Sequence, residues 1–488
     1  MQIKIMTFAS IFIFIIYFLA RIIQFQQCRH LFGDSITYIL FHNLNLKKKE
    51  INPKGVVGAN QSNLPNFFFK YSNKIAGQYV DNNSIISYSN FLLLIIIEII
   101  LLIYLSSKKM SFEEILIIFG SFSLLPSISW ISSSERGSYI KFSERFPALL
   151  INGSLGYIIF NFSLSDSYYE TLFFIFALII FSFLSNILGK FSRQVLLVCF
   201  IGSFFSKQPF LSSLFILIGF SLSLSFKQIR FEIKNHWTYL RNYKRFQNKN
   251  FIVSEKLAKK IFYFKFLYEN NFLRISTKII KVSIFGILIM SPACYFLYEY
   301  STETLENLLF IALFFAMLIS TPFLYFIGSG DRYLFNLISV PVLISSINST
   351  SSYLILALIN SLLIFFSILK NYKNLKKLWI SQNEKVKSFI YLENFIEEKG
   401  PVFFSHYKDS EIFQLHTKKE NKLSTTRDYL WDEDSINLFE EYPHVSLSTE
   451  TLDTFEASYL ILKKDIKFDL EDWKISHTYE NFCLYKRV

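Results

Sequence analysis

About eleven apolar runs fill most of the first 370 residues, and they constrain the fold of this chain more than any other feature. A helix needs roughly 20 predominantly apolar residues to cross the hydrocarbon core of a bilayer. Most of the runs approach that length, and charged side chains rarely interrupt them. We therefore predict an all-α polytopic membrane bundle of about 11 transmembrane helices. The runs lie at residues 8–19, 91–105, 115–130, 148–160, 172–184, 195–205, 211–226, 282–297, 308–327, 334–347 and 353–369.

The composition agrees with a membrane protein, and the charge is unevenly distributed. Of the 488 residues, 52% are hydrophobic, and the mean hydropathy is +0.33. Residues 227–281 hold fourteen Lys or Arg and three Glu, whereas residues 380–488 hold fourteen Lys or Arg and twenty-one Asp or Glu. A basic segment beside a bilayer is typical of contact with anionic headgroups, so membrane lipid is a predicted partner. Neither a zinc-ligand spacing nor an aromatic–basic module accompanies this segment, which argues against nucleic acid as a partner.

The chain is predicted to have two domains. Residues 1–379 form the polytopic transmembrane domain, with a long first loop at 21–90 and a basic interfacial loop at 227–281. Residues 380–488 form a small soluble α/β domain. Within this C-terminal domain the sequence predicts strands at 401–405, 458–462 and 481–485, strand-like alternation at 411–416, and a helix at 435–441.

Even numbers of apolar runs separate the polar features of the chain. These features are the first loop, the polar stretch 132–145, the basic loop, the segment 328–333 and the C-terminal domain. If every run crosses the bilayer, all of these features lie on one face, which is the layout of an enzyme with one working face. The short run 195–205 is the weak point, because joining it to the next run as one helix kinked at Pro209 changes the parity.

Cysteine and histidine residues form no recognisable ligand set. Cys28, Cys199, Cys294 and Cys483 lie far apart, without CxxC or CxxH spacing, and the seven histidines are scattered. We therefore predict no metal site and no disulfide framework.

Three stretches carry candidate functional residues. Asp34 closely follows the first apolar run, where a carboxylate can act as a general base, and the alternative is a helix cap or a solvated loop residue. Arg136 and Arg145 precede or begin one helix, and Arg332 begins another. Their guanidinium groups suit phosphate, and the alternative is pairing with a neighbouring acid at the interface. Glu98 lies within an apolar run, so it must face the bundle interior or reach the interface, and the sequence assigns it no role.

With these motifs the chain resembles the GT-C superfamily of membrane glycosyltransferases, which use lipid-phosphate-linked sugars and include mannosyl- and aminoarabinosyltransferases. The resemblance is architectural over most of the chain. It rests on Gly33-Asp34 after the first helix, on Arg145-Phe146-Pro147 and Arg332-Tyr333-Leu334 as helix starts, and on the small domain after the last helix. The sequence departs from many members in having Asp34-Ser35 rather than Asp-Glu, and in placing two helices before the Arg-x-Pro start.

The resemblance implies a hexosyl- or pentosyltransferase. Asp34 would be the catalytic base on the extracytoplasmic face, and Arg136, Arg145 and Arg332 would bind the donor phosphate. The donor would be a polyprenyl-phosphate-linked sugar, and the acceptor an envelope glycan, lipid or protein. Family enzymes can use a divalent metal ion as a cofactor, although no ligand cluster here calls for one.

Two alternatives stay open, and so does the orientation. The chain could be a non-catalytic transporter, flippase or polymerase-like protein of surface polysaccharide synthesis, or a scaffold whose basic loop binds lipid headgroups. The low-GC character of the composition favours a bacterial plasma (inner) membrane for this multi-pass protein, and the endoplasmic reticulum is the alternative location. The resemblance places the C-terminal domain outside the cytoplasm, whereas the excess of Lys and Arg in the loops favours the cytoplasmic side.

Overall fold

The fold is described from a computed structural model. It covers residues 2–29, 82–131, 145–162, 167–227, 271–300, 303–397, 402–417 and 439–488, with short gaps in the later ranges, and a few isolated positions between 229 and 240. The described residues divide into two compact units, with a boundary between residues 373 and 374. The first is the helical unit, and the described part of the second is mainly the C-terminal domain.

The helical unit consists of α-helices that we number in chain order. The first four are α1 (Gln2–Arg29), α2 (Asn82–Ser107), α3 (Phe112–Phe122) and the short α4 (Pro126–Ser129). The next four are α5 (Arg145–Asn161), α6 (Tyr168–Leu188), α7 (Lys190–Ser203) and α8 (Pro209–Ser223). The last are α9 (Asn271–Tyr300), α10 (Glu303–Ile319), α11 (Asp331–Asn348) and, after a 3-10 turn at Thr350–Tyr353, α12 (Leu354–Glu393). The first loop is therefore shorter than predicted at both ends, because α1 continues to Arg29 and α2 begins at Asn82.

Several of these helices have the length and apolar character of membrane spans. Five stretches qualify in the described part of the chain: 7–28, 87–107, 168–188, 280–300 and 350–393. Three shorter apolar helices, 191–203, 209–223 and 305–319, accompany them. Many large apolar side chains on these helices face outward, for example Phe8 at 75% exposure and Phe310 at 71%. The mostly helical fold is thus confirmed, and the apolar helices indicate a membrane protein, whereas the number of about 11 spans stays a prediction.

Contacts around α3 show which helices run in the same direction. Gly120 on α3 lies against both Ile13 of α1 and Ala357 of α12. Further along, Gln24 of α1 donates to the Ile128 carbonyl at 3.1 Å, and Ser367 of α12 donates to the Ile131 carbonyl at 2.6 Å. Helices α1 and α12 therefore both run parallel to the α3–α4 segment. Helix α2 runs against α1, because Arg21 meets Glu98 whereas the later Phe25 meets the earlier Tyr88.

Helices α5 to α8 also alternate in direction, beginning with α6, which runs against α5 because its late residue Ser185 meets the early residue Asn152. Helix α7 runs parallel to α5, since Ser192 meets Asn152 and Gly202 meets Phe160. Helix α8 runs parallel to α6, since Phe215 packs near Phe162 and Phe174 at one end and Ser223 bonds to Asn186 at the other. Helices α7 and α8 are consequently two antiparallel helices, and not one helix kinked at Pro209. Ser203 and Ser213 join them at 2.7 Å.

The C-terminal domain contains a four-stranded sheet with the order β1-β4-β6-β5. Its strands are β1 (Val402–Phe404), β4 (Tyr459–Lys463), β5 (Trp473–Tyr479) and β6 (Phe482–Arg487); β1 is parallel to β4, and the other pairs are antiparallel. A small second sheet pairs β2 (Phe439–Glu441) with β3 (His444–Val445), and two helices, α13 (Tyr407–His416) and α14 (Thr449–Thr454), complete the domain.

The predicted strands at 401–405, 458–462 and 481–485 are confirmed, and two other assignments are wrong. Residues 411–416 belong to α13, because the apolar positions Ile412, Phe413 and Leu415 pack as part of a helix rather than in alternation. Residues 439–441, predicted as helical, form β2. Strand β5 was not predicted, because most of its residues are exposed and several are polar, so the sequence shows no apolar run there.

The end of α12 contributes to the core of this domain. Phe389 is fully buried, with ring centroids 5.5 Å from Phe404, 5.8 Å from Phe413 and 5.0 Å from Phe482. A surface ion pair between Lys486 and Glu397, at 2.7 Å, lies just beyond the helix. The hydrogen bond from Lys486 lowers the pKa of the Glu397 carboxyl and raises the pKa of Lys486. Because both groups are exposed, this pair contributes little to stability.

Candidate functional site

Two of the four predicted site residues lie in the described part of the chain. Asp34 and Arg136 fall outside the described residues. Arg145 is the first residue of α5, and Arg332 is the second residue of α11. Both side chains are partly buried, and both make contacts with the rest of the protein.

Helices α5 and α11 pack together and begin at the same end of the helical unit. The start of α11 lies near the end of α10, because Gly330 packs against Ala316. Gly156 of α5 packs against Leu308, which is near the start of α10, and so marks the opposite end. Arg145 precedes Gly156 by eleven residues and therefore lies toward the end of the unit that carries Arg332.

This arrangement places two guanidinium groups beside two helix N-termini. The first backbone N–H groups of a helix lack intrahelical acceptors, and the helix dipole adds a partial positive charge there. Helix N-termini consequently bind phosphate groups readily, and arginine adds a planar set of donors that matches phosphate oxygens. The starts of α5 and α11 therefore offer donors for an anion, and the buried Asp331 carboxylate already occupies part of the α11 start.

A buried network of neutral polar side chains lies below the two arginines and joins four helices. Asn152 of α5 accepts hydrogen bonds from Ser185 at 2.6 Å and Ser192 at 3.2 Å, and its amide donates to Asn336 of α11 at 3.5 Å. The Asn336 amide in turn donates to the Arg332 carbonyl at 2.8 Å. Asn152 and Asn336 are both fully buried. The network therefore fixes the backbone of Arg332 relative to α5, α6 and α7.

Tyr333 adds a second link between α11 and α7. Its hydroxyl donates to Gln194 Oε1 at 3.0 Å, and its ring packs edge-on against Phe191 at 5.2 Å. The residue is 1% exposed. From the sequence, Tyr333 was only part of the Arg332-Tyr333-Leu334 helix start. In the structure its hydroxyl and ring hold the start of α11 against α7.

Asp331 occupies the first position of α11 and is buried. Its carboxylate lies against Gly286 of α9, where a larger residue would collide with it. Beside it, the Gly330 backbone N–H donates to Ser283 Oγ at 3.0 Å. An acid in the first turn complements the helix dipole, so Asp331 has a structural role at this helix start.

A second polar cluster, which we call the Arg21 cluster, was not predicted. Arg21 of α1 and Glu98 of α2 form an ion pair, with Arg21 Nη2 2.5 Å from Glu98 Oε1 and both side chains almost fully buried. Arg21 also donates to Gln24 at 2.6 Å, and Tyr17 donates to Glu98 Oε2 at 2.6 Å. The guanidinium carbon of Arg21 lies 4.7 Å from the centroid of the Tyr17 ring.

The Arg21 cluster satisfies backbone groups where α3 and α4 are interrupted. Residues 123–125 separate the two helices, and Pro126 begins α4. Arg21 donates to the Ser123 carbonyl at 3.1 Å and to Ser129 Oγ at 3.0 Å. Irregular backbone at membrane depth is tolerated only where its polar groups find protein partners. Arg21 supplies those partners, and Glu98 compensates its charge. A sequence signal existed, since both charges interrupt or border apolar runs, but the sequence does not pair them.

Within the described ranges, no three His, Cys, Asp or Glu residues lie close enough to hold a metal ion. All four cysteines are buried, and none forms a disulfide bond.

Replacing Asn152 by Leu should destabilise the helical unit. The change removes one amide and leaves the hydroxyls of Ser185 and Ser192 without this acceptor, which costs about 1–2 kcal/mol for a buried polar network in a membrane protein. Unfolding of the purified protein in mixed micelles measures the difference. The matched control is Asn161→Leu at the end of the same helix, where the amide donates to the Tyr157 carbonyl of its own helix. Equal stability of the two variants would contradict the role of the network.

Two polar clusters thus stand out in the described helical unit. One lies below Arg145 and Arg332, and the other joins α1, α2 and the α3–α4 break. No protein-family model matches the chain, and no curated protein matches it.

Proposed function

We propose that this chain is an integral membrane glycosyltransferase of GT-C type that moves a sugar from a polyprenyl-phosphate donor to an envelope glycan, lipid or protein acceptor. The observation that carries the proposal is the common position of Arg145 and Arg332 at the starts of two neighbouring parallel helices. Such a pair suits the phosphate of a lipid donor, whose apolar chain is compatible with the outward-facing apolar side chains of the unit.

In this mechanism the acceptor hydroxyl or amide attacks the anomeric carbon of the donor sugar. Asp34 takes the acceptor proton, the bond between the anomeric carbon and the phosphate oxygen breaks, and the configuration inverts. Negative charge develops on the departing polyprenyl phosphate. Arg145, Arg332 and Arg136 stabilise that charge, which is the usual use of fixed cations at a leaving group.

The alternating directions of the helices support eleven crossings of the membrane. In that topology α3 and α4 together make one pass, and the short α7, α8 and α10 also cross. The first loop, the segment before α5, the start of α11 and the C-terminal domain then share one face. We place this face outside the cytoplasm of a bacterial inner membrane, as the GT-C resemblance implies.

The Arg21 cluster favours an enzyme over a transporter. Ionisable groups inside transporters usually face a water-filled pathway, where they bind or relay the transported ion. Glu98 is instead buried and bonded to Arg21 and Tyr17. The carbonyl end of an interrupted helix, which commonly coordinates a coupling cation in transporters, is occupied here by the Arg21 guanidinium. The flippase or polymerase-like alternative therefore lacks a charged pathway in the described helices.

Loss of either arginine should weaken donor binding. Removing one charge-assisted hydrogen bond costs about 1.5–3 kcal/mol, so Arg145→Gln and Arg332→Gln are each expected to bind polyprenyl phosphate roughly 10- to 100-fold more weakly. Binding of polyprenyl phosphate to the protein in lipid nanodiscs measures this. The control is Lys108→Gln, which removes an exposed cation at the opposite end of the bundle. Unchanged affinity in both arginine variants would contradict the phosphate site.

Replacing Asp34 by Asn should stop transfer without weakening donor binding. A general base contributes about 10²- to 10⁴-fold to the rate, and the amide cannot accept the acceptor proton. Transfer from polyprenyl-phosphate-linked sugars to a membrane extract measures the rate, and polyprenyl phosphate binding serves as the internal control. Full transfer activity in Asp34→Asn would rule out this residue as the base.

The proposed orientation predicts that the C-terminus lies outside the cytoplasm. Paired reporters fused after Val488, one active only in the cytoplasm and one only outside it, give opposite signals for the two orientations. An active external reporter is expected. An active cytoplasmic reporter would remove the extracytoplasmic assignment and favour the transporter or scaffold alternatives.

A further inference from the structure

The Arg21 cluster joins three stretches of chain that lead into the proposed catalytic residues. We propose that Arg21 and Glu98 are positioning residues, which together hold the end of α1, the start of α2 and the α3–α4 break in one fixed arrangement. This arrangement would align the residues around the reacting sugar. The catalytic part of this inference rests on the proposed function, whereas the geometric part does not.

The position of the cluster along the chain gives the first argument. Arg21 lies eight residues before the end of α1 at Arg29, which is about 12 Å of helix, and Asp34 follows soon after. Glu98 joins α2 to Arg21 of α1, and α2 is the helix that follows the first loop in the sequence. The Ser123 carbonyl and Ser129 belong to the break that leads into the segment containing Arg136. The ion pair therefore joins the helix that precedes Asp34 in the sequence to the break that precedes Arg136.

The chemistry of the pair gives the second argument. The Arg21 guanidinium donates to Glu98 through Nε at 3.3 Å and Nη2 at 2.5 Å, to Gln24 and Ser129 through Nη1, and to the Ser123 carbonyl through Nη2. A planar group that bonds in so many directions fixes orientation as well as distance. Lysine has a single nitrogen and cannot make these contacts together.

Apolar side chains in place of the pair would fill the space without specifying one arrangement. A buried ion pair is seldom the most stable way to fill a space, because desolvation offsets much of the attraction between the charges. Its distinctive contribution is to specify one arrangement of the groups that it joins. A chain without the pair can therefore fold and still lose the alignment on which a transfer reaction depends, since misplacement of about 1 Å can reduce a rate about 10²-fold.

The test compares two variants that keep the charge balanced. Arg21→Gln combined with Glu98→Gln removes both charges. Arg21→Lys keeps a cation beside Glu98 and loses the additional donors, so it serves if the double variant does not fold. The matched control is Lys385→Gln combined with Asp409→Asn, which removes a 2.6 Å ion pair of the C-terminal domain.

Two readouts are needed. The expected kinetic result is a 10- to 100-fold lower kcat with little change in KM for the lipid donor. The separate Asn152 and Asn336 network holds the backbone of Arg332, and Arg145 lies on the same helix as Asn152. An unchanged kcat in every folded variant overturns the catalytic role. If the wild-type chain itself transfers no sugar, the proposed function fails, and the second readout alone decides the geometric part.

The second readout is the distance between spin labels at Ile22 of α1 and Phe366 of α12. Both side chains are exposed, and Phe366 adjoins Ser367, which is bonded to the end of the break at Ile131. The four native cysteines are buried and react poorly with the label. We expect a narrow distance distribution in the wild type and in the Lys385 and Asp409 control, and a broader or shifted one in the Arg21 variants. An unchanged distribution overturns the positioning role whatever the kinetics show.

Discussion

The arrangement of α1, α2 and the α3–α4 break depends on the ion pair between Arg21 and Glu98, because that pair supplies polar partners where the backbone is interrupted. A break such as the one between α3 and α4 exposes carbonyl groups that cannot bond to water inside a bilayer. Arg21 supplies the missing donors, and Glu98 supplies the opposite charge without which the guanidinium would be too costly to bury. Three separate stretches of chain are thereby joined through one guanidinium group.

The network of asparagine and serine side chains joins helices by hydrogen bonds between uncharged groups. Helices in a membrane gain little from hydrophobic attraction to one another, so close packing and interhelical hydrogen bonds hold them together. Gly153 and Gly156 let α5 approach its neighbours, and Asn152 then reaches across to α6, α7 and α11. The final bond of this network goes to the backbone of Arg332. The packing of the helices and the placement of a candidate phosphate ligand are thus parts of the same arrangement.

The sequence predicted the features that depend on local patterns. Long apolar runs predicted the helical fold. Short apolar runs, rich in residues that favour β-structure, predicted three of the four strands of the main sheet. It mistook α13 for a strand, because six residues of alternating polarity fit either period. It could not pair Arg21 with Glu98, since 77 residues separate them and only the tertiary fold brings them together. The arginine positions were recognisable because helix starts are local features, whereas the network below Arg332 consists of serines and asparagines that look ordinary in a sequence.

The relative directions of α1 and α12 can be compared without counting how many helices cross the membrane. Both helices run alongside the α3–α4 segment in the same sense, from Gly120 toward Ile131. If both cross the membrane, the chain after Arg29 and the chain after α12 emerge on the same face, whether or not the short α7, α8 and α10 span fully. Helix α12 has 40 residues, about 60 Å, which is twice the thickness of the hydrocarbon core. It is therefore long enough to cross the core and to extend beyond it at one end.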